Sequence, residues 1–334
     1  MAERKTHRTQ NPAIAISCGF DSHPRYHIGN CKFERFASLR SATNSYSIFL
    51  GVKTNSRFRI LGEENILIFM KTLIIINGVT GALGAACLAR FSREHGTTIV
   101  GLSRQAQKVD TFCANGYLPD NTLICSIGDI SSKEACKSFS QKIDKSFYEK
   151  IIYIHAVGVY PFELDTTGNI HVSNDNDNDG IDDRVVKLSH DAFFAMTEAL
   201  EGVGLPVRAL IFGGIADKFK PAVHKSWWTV IEKTKDRMKK EAEQKNKTSF
   251  FVLNISSVIC PHELITRPFV FQNTNADASF WLMPHEVAEQ VAALVFSKRN
   301  GFVEDRLFHK ADYYEEDYFA DPKFTKRKKA ELGI

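Results

Sequence analysis

The stretch TLIIINGVTGALGAACLARF (72–91) restricts the fold more than any other part of the chain. A strand-length run of leucine and isoleucine meets three glycines, Gly78, Gly81 and Gly84, and a helix of small residues follows. A strand this apolar is buried on both faces, which requires a layer above it and a layer below. Gly78 suits a chain leaving the strand through a backbone conformation closed to side chains. Gly81 lets the backbone come close to a pyrophosphate at the positive amino end of the helix. Gly84, with Ala85 and Ala86, lets helix and strand pack closely. The alternative is a tight structural turn without a ligand. The strand before it and the helix after it supply the context that a phosphate cradle needs.

From Met70 onward, strand-like runs alternate with helical ones. TLIIIN, TTIVGLS, KIIYIHAVG, VRALIFGG and SFFVLNISS read as strands. ALGAACLARFSREH, a segment around 131–146, VVKLSHDAFFAMTEAL, WWTVIEKTKDRMKKEAEQ and PHEVAEQVAALVFSK read as helices. This order predicts an α/β protein: a doubly wound parallel sheet, a Rossmann fold, flanked by helices in a single domain over 70–310. Residues 1–69 break the pattern and are rich in Arg, Ser and Asn. Three readings compete for them: a targeting peptide, a disordered basic arm, or a start codon placed too early. The position of Met70, just before the first strand, favours the last two. Residues 311–334 read as a charged tail.

Charge separates the same regions. Residues 1–69 hold ten Lys/Arg against five Asp/Glu, a charge of +5, whereas the remainder carries −1 of the net +4. The body therefore shows no nucleic-acid signature. No apolar run approaches the roughly 18 residues of a membrane span. Seven cysteines, at 18, 31, 87, 113, 125, 136 and 260, are an odd number without a disulfide rhythm. They read as reduced thiols in a cytoplasmic setting.

In its glycine motif, NGVTGALG, the sequence resembles the extended and atypical branches of the short-chain dehydrogenases/reductases. Further matches fall in the family's order over about 70–310: Asp129-Ile130 in CSIGDIS, Ile154–Gly158 in IHAVG, and MPHEVAEQVAALVF near the end. The resemblance implies a nicotinamide dinucleotide held by Gly78, Thr80, Gly81, Ala82, Leu83 and Gly84. It places Asp129 and Ile130 at the adenine, and Ala156, Val157 and Gly158 along the ribose and nicotinamide. The second strand ends GLSRQ, where a carboxylate would grip the ribose hydroxyls of NAD. Ser103 and Arg104 stand there instead, a hydroxyl and a guanidinium suited to a 2′-phosphate, so NADP is expected over NAD. By family analogy the partners are a small-molecule substrate and a second copy in a homodimer, with no nucleic acid and no membrane.

The family's catalytic residues do not follow. Members carry a Ser at the end of the fifth strand, a Tyr about thirteen residues on and a Lys four beyond that Tyr. Here the strand ends in Gly213-Gly214, and thirteen residues after Gly214 stands Trp227. No Tyr lies between Tyr160 and Tyr313, and Lys187 stands near the place of the family's helix-four Asn. Lys233 and Lys235 are the catalytic candidates, although both miss the spacing; as solvated charges on an amphipathic helix they need no role. An indole cannot replace the phenol as a proton donor, which leaves His224 or water. Two readings follow: an NADP(H)-dependent oxidoreductase with an altered site, acting on an unknown carbonyl or alcohol, or a catalytically inactive dinucleotide sensor or scaffold. The Phe and Trp of residues 261–281 suggest an apolar wall over the substrate cleft.

Two further clusters carry less. Asp175, Asp177, Asp179, Gly180 and Asp183 match positions 1, 3, 5, 6 and 9 of a calcium loop, but position 12 is Val186 rather than Glu. A solvated acidic loop is the expectation. Cys18, His23, His27 and Cys31 have zinc-like chemistry without the usual C-x2-C knuckle, and no metal site is expected there.

Overall fold

Strand β1 (Thr72–Asn77) is buried along its whole length, and its residues divide between two cores. Leu73 and Ile75 face one layer of helices, and Ile74 and Ile76 face the other. Burying each of these four side chains contributes about 1.5–3 kcal/mol, which is why the run commits to a strand inside a sheet. The computed structural model describes residues 72–115, 118–158, 163–164, 170–171, 175–176, 179–214, 225–244, 247–256, 258 and 282–307. The expectations for residues 1–69, for the Cys18–Cys31 cluster, and for Asp177, His224, 261–281 and 311–334 lie outside the described residues.

Beside β1 lie β2 (Thr97–Ser103) and β4 (Lys150–His155), both parallel, with Ile74 opposite Ile99 on one side and Ile152 on the other. Outward from β2 comes β3 (Thr122–Ser126); outward from β4 come β7 (Val207–Gly214), β8 (Thr248–Ile255) and β9 (Phe302–Leu307). The order is β3-β2-β1-β4-β7-β8-β9, parallel throughout. The order reverses between β1 and β4, and a crevice opens at the carboxyl ends of the strands where such a reversal occurs. A separate antiparallel pair is formed by β5 (Glu163–Leu164) and β6 (Ile170–His171).

Helices α1 (Ala82–Phe91) and α6 (Pro284–Val295) cover one face, where Cys87, Leu88 and Phe91 meet Val287, Val291 and Val295 over the sheet. Helix α2 (Ala106–Asn115) adds Val109 to that layer. On the other face lie α3 (Lys133–Ser140), α4 (Ala192–Glu201) and α5 (Lys225–Gln244), which contribute Phe139, Phe193, Phe194 and Met238. This is the doubly wound architecture expected from the sequence.

Some elements depart from the expected boundaries. The single helix expected over VVKLSHDAFFAMTEAL is interrupted: a helical turn (Asp183–Val185) and a π-helical segment (Val186–Asp191) precede α4. The helix expected around 131–146 ends at Ser140, and a separate 3-10 turn spans Lys145–Phe147. The edge strand β9 was not expected, because FVEDRL breaks the apolar run; an edge strand has one open side and tolerates charge. Among the described residues no helix is long and apolar enough to cross a membrane, and Cys87, Cys113, Cys125 and Cys136 are free thiols.

Candidate functional site

The glycine turn is built around backbone contacts that leave no room for side chains. Gly78 has φ +81°, and a Cβ there would lie 2.6 Å from the Ala156 carbonyl oxygen at the end of β4. A Cβ on Gly84 would lie 2.2 Å from the Gly78 oxygen, so α1 rests directly on the turn. The turn is tied to β2 by Gly78 N–H and Val79 N–H, which donate to the Leu102 carbonyl at 2.9 and 3.2 Å. Gly101, unremarked in the sequence, makes room for Val79: its Cβ would meet Val79 Cγ2 at 2.8 Å.

Helix α1 begins at Ala82, after Gly81 as its N-cap, with no side-chain cap and no acidic residue in its first turn. The first intrahelical donor is Ala85 N–H, to the Gly81 carbonyl at 2.8 Å. The amides of Ala82, Leu83 and Gly84 thus present donors and a positive dipole end at the switch point, as a diphosphate requires. A Cβ on Gly81 would find only the Gly78 oxygen, at 3.3 Å, so Gly81 is open where Gly84 is not.

At the ends of β2 and β3 the expected residues divide. The Thr80 and Ser103 hydroxyls lie 3.4 Å apart, and Ser103 is buried, which leaves Arg104 as the exposed group at the strand end. Asp129 is half-exposed and turned onto its own loop and a lysine. Lys187 Nζ approaches its carboxylate at 2.8 Å, and the Ser131 hydroxyl and amide donate at 2.7 and 3.0 Å. Lys187 first, and then Ser131, hold the Asp129 carboxyl down at about 2. Ile130 is a core residue, and its carbonyl accepts the Cys136 thiol.

At the end of β4 the structure shows a polar cluster not anticipated from the sequence. His155, 1 % exposed, has its Nε2 2.8 Å from the Leu188 carbonyl, which can only accept, so the proton sits on Nε2. Nδ1 then accepts from the Tyr153 hydroxyl at 2.8 Å and faces Asn77 Nδ2 at 3.3 Å. Burial pushes the His155 imidazole down to about 4 and the Tyr153 phenol far up, so both are neutral and sealed. Leu188 lies within the π-helical segment, so His155 fastens that segment to the sheet. Ala156, Val157 and Gly158 continue from His155, with Ala156 N–H donating to the Asn77 carbonyl at 2.9 Å. The signal was present in the sequence: Asn77, His155 and Asn254 are polar residues at the carboxyl ends of apolar strands.

At the end of β7, Gly213 and Gly214 bring no hydroxyl. Trp227 and Trp228, both half-buried, stand in the first turn of α5. Four residues beyond Trp227 is Ile231, fully buried, and four beyond Trp228 is Glu232. Lys233 is exposed, and it helps, after burial, to hold the nearby His190 below its ordinary value. Lys235 is committed elsewhere: its Nζ lies 2.8 Å from Glu304 Oε1 on β9, and Asn254 Nδ2 donates to the same oxygen at 2.7 Å. Burial pushes the Glu304 carboxyl up, but Lys235 and Asn254 outweigh it and the net shift is down. Removing the ammonium leaves that half-buried carboxylate with a single amide. Lys235→Ala is therefore expected to destabilise by about 2 kcal/mol, and Lys235→Met by less, in urea unfolding.

In the acidic loop the carboxylates serve the backbone. Asp175 accepts from Asp179 N–H and Gly180 N–H at 3.0 and 2.7 Å, and Asp183 accepts from Asn176 N–H at 3.2 Å. Among the described residues no three potential ligands converge on a metal position. A groove of about 570 Å³ between α3 and α4, lined by Lys133, Lys137 and Glu198, lies away from the strand ends.

Solved structures share this architecture. A short-chain dehydrogenase/reductase, glucose/ribitol dehydrogenase, from Brucella melitensis matches with a TM-score of 0.55 at 16% identity, covering 71% of this chain and 94% of that one. The closed form of a serine dehydrogenase complexed with NADP+ matches with a TM-score of 0.56 at 11% identity, over 70% and 93%. An alcohol dehydrogenase from the archaeon Thermococcus sibiricus, complexed with 5-hydroxy-NADP, matches with 0.53 at 14%, over 72% and 97%. No protein-family model and no curated protein matches the sequence. At such identities the likeness establishes the fold.

Proposed function

We propose that this chain, which has the fold of the short-chain dehydrogenases/reductases, binds a nicotinamide dinucleotide, NADP(H) before NAD(H), and serves an oxidoreductase reaction on a small carbonyl or alcohol. The observation that carries this is the uncapped start of α1, resting through Gly84 on the turn at Gly78, at the point where the strand order reverses. The residues fit the group. Three backbone amides meet the diphosphate, Arg104 is free to reach a 2′-phosphate, and Ala156 to Gly158 border the nicotinamide side. Two of the matching structures are complexes with NADP+ or a derivative of it.

When bound, the nicotinamide supplies or accepts a hydride, and a proton must move at the substrate oxygen to balance it. Among the described titratable side chains at the ends of β4 and β7, Tyr153 and His155 are sealed, so neither delivers that proton. A substrate proton passed through water fits this arrangement. The same observation favours a second reading, a dinucleotide-binding sensor or scaffold without turnover. The free thiols fit a reducing, cytoplasmic setting, and assembly as a homodimer is part of the proposal by analogy.

Cofactor choice tests the first half. NADPH should bind more tightly than NADH, read by quenching of tryptophan fluorescence, and Arg104→Ala should remove about 1–3 kcal/mol of the difference. Equal affinities in the native chain would sink the NADP assignment, and no binding of either would sink the whole reading. Consumption of NADPH with a panel of carbonyl compounds then separates enzyme from sensor.

A further inference from the structure

The carboxyl end of β7 lacks a side chain of its own and borrows one from the next strand. Gly213 pairs in register with Asn254 of β8, and a Cβ on Gly213 would lie 2.1 Å from Asn254 Oδ1. The Asn254 carboxamide therefore occupies the space that a residue with a side chain would fill at this position. Its orientation is fixed by chemistry. Nδ2 donates to Glu304 Oε1, which as a carboxylate can only accept, and Lys235 holds the same oxygen from α5. Oδ1 must then point the other way, over Gly213. Asn254 is 1 % exposed, and among the described residues Oδ1 has no hydrogen-bond donor. A buried acceptor left unmet is unfavourable, and native structures keep such groups where a ligand or a water completes them.

We infer that Asn254 is a substrate-positioning residue, whose carboxamide oxygen accepts a hydrogen bond from a substrate hydroxyl at the end of β7. This rests on the proposed dinucleotide site. It sharpens that proposal, because an alcohol offers this oxygen a hydrogen and the corresponding ketone does not. One of the two amide N–H groups is held by Glu304, and the atom that lies over Gly213 is Oδ1, which can only accept. The end of β7 thus selects the alcohol member of an alcohol/carbonyl pair. Buried polar groups of this kind discriminate sharply, since the wrong ligand leaves them unpaired.

The test uses the full chain, with and without NADP+, titrated with matched pairs: isopropanol and acetone, cyclohexanol and cyclohexanone, 1-phenylethanol and acetophenone. Binding is read by saturation-transfer NMR. At least one alcohol should bind about tenfold more tightly than its ketone. Asn254→Leu should bring that ratio to about one, at some cost in melting temperature because the hydrogen bond to Glu304 is lost with it. Should that variant fail to fold, Gly213→Ala, whose Cβ displaces Oδ1, should lose the same discrimination. The assignment is overturned if ketones bind as well as alcohols, if no pair binds, or if Asn254→Leu keeps the preference. That last result would mean that the oxygen only packs against the Gly213 backbone. If NADP+ fails to bind, the proposed function falls, while the titrations made without it still decide the role of Asn254.

Discussion

Gly84→Ala is expected to destabilise the chain by about 3 kcal/mol and to abolish dinucleotide binding. The added Cβ would meet three backbone atoms, the Gly78 oxygen and carbon at 2.2 and 2.7 Å and Val79 Cα at 2.8 Å. None of them can give way cheaply, because the turn is held to β2 through Leu102 and Val79 is fully buried. Helix α1 would have to lift, which would carry its amino end away from the position proposed for the diphosphate. Gly81→Ala is the control: with its one neighbour at 3.3 Å, it should leave stability almost unchanged while obstructing the approach of phosphate. Urea unfolding and NADPH titration of both variants separate the two roles. A Gly84→Ala protein with native stability would show that α1 is not seated as described.

Acid should destabilise the chain between about pH 6.5 and pH 4, by about 3 kcal/mol in total, through His155. Its imidazole is held down at about 4 by burial. Below pH 6.5 the unfolded chain takes up a proton that the folded chain refuses, so stability is fully present above 6.5 and falls until the folded value is passed. Among the described residues the groups facing the ring are the Tyr153 hydroxyl, the Asn77 amide, the Leu188 carbonyl and the Phe193 ring, and none of these is charged to offset the proton. His190, lowered by burial and then by Lys233, acts in the same direction. Asp129 acts outside this window: its contribution is present above its unfolded value and is lost only as the pH falls toward about 2. His155→Gln should flatten the profile between pH 7 and pH 4.5 in urea unfolding. An unchanged slope in that variant would assign the acid sensitivity to other groups.

The part of the molecule around β1 and α1 was legible in the sequence because its physics is local. TLIIIN followed by spaced glycines encodes a buried strand, a positive φ at Gly78 and a close approach at Gly84 within thirteen residues. In the rest of the molecule most strands and helices were legible too, but the side-chain contacts were not, because they join residues far apart. His155 meets Leu188, and Lys235 and Asn254 converge on Glu304 across α5, β8 and β9. Nothing in the spacing of Lys233 and Lys235 tells which one turns inward. Lys235 does so because β9 places a carboxylate beneath α5. The π-helical segment was equally hidden, since VVKLSHDAFF has an apolar pattern that suits an ordinary helix.

That segment also fixes how the chain tolerates changes of length. A π-turn is an α-helix that carries a surplus residue, and one residue corresponds to about 100° of rotation. Deleting a single residue within 186–191 would let the hydrogen bonding relax to the regular form. The same deletion would turn everything downstream by that angle, swinging Phe193, Phe194, Met196 and Leu200 of α4 out of the layer they fill. The surplus cannot be discarded without re-threading α4 from end to end.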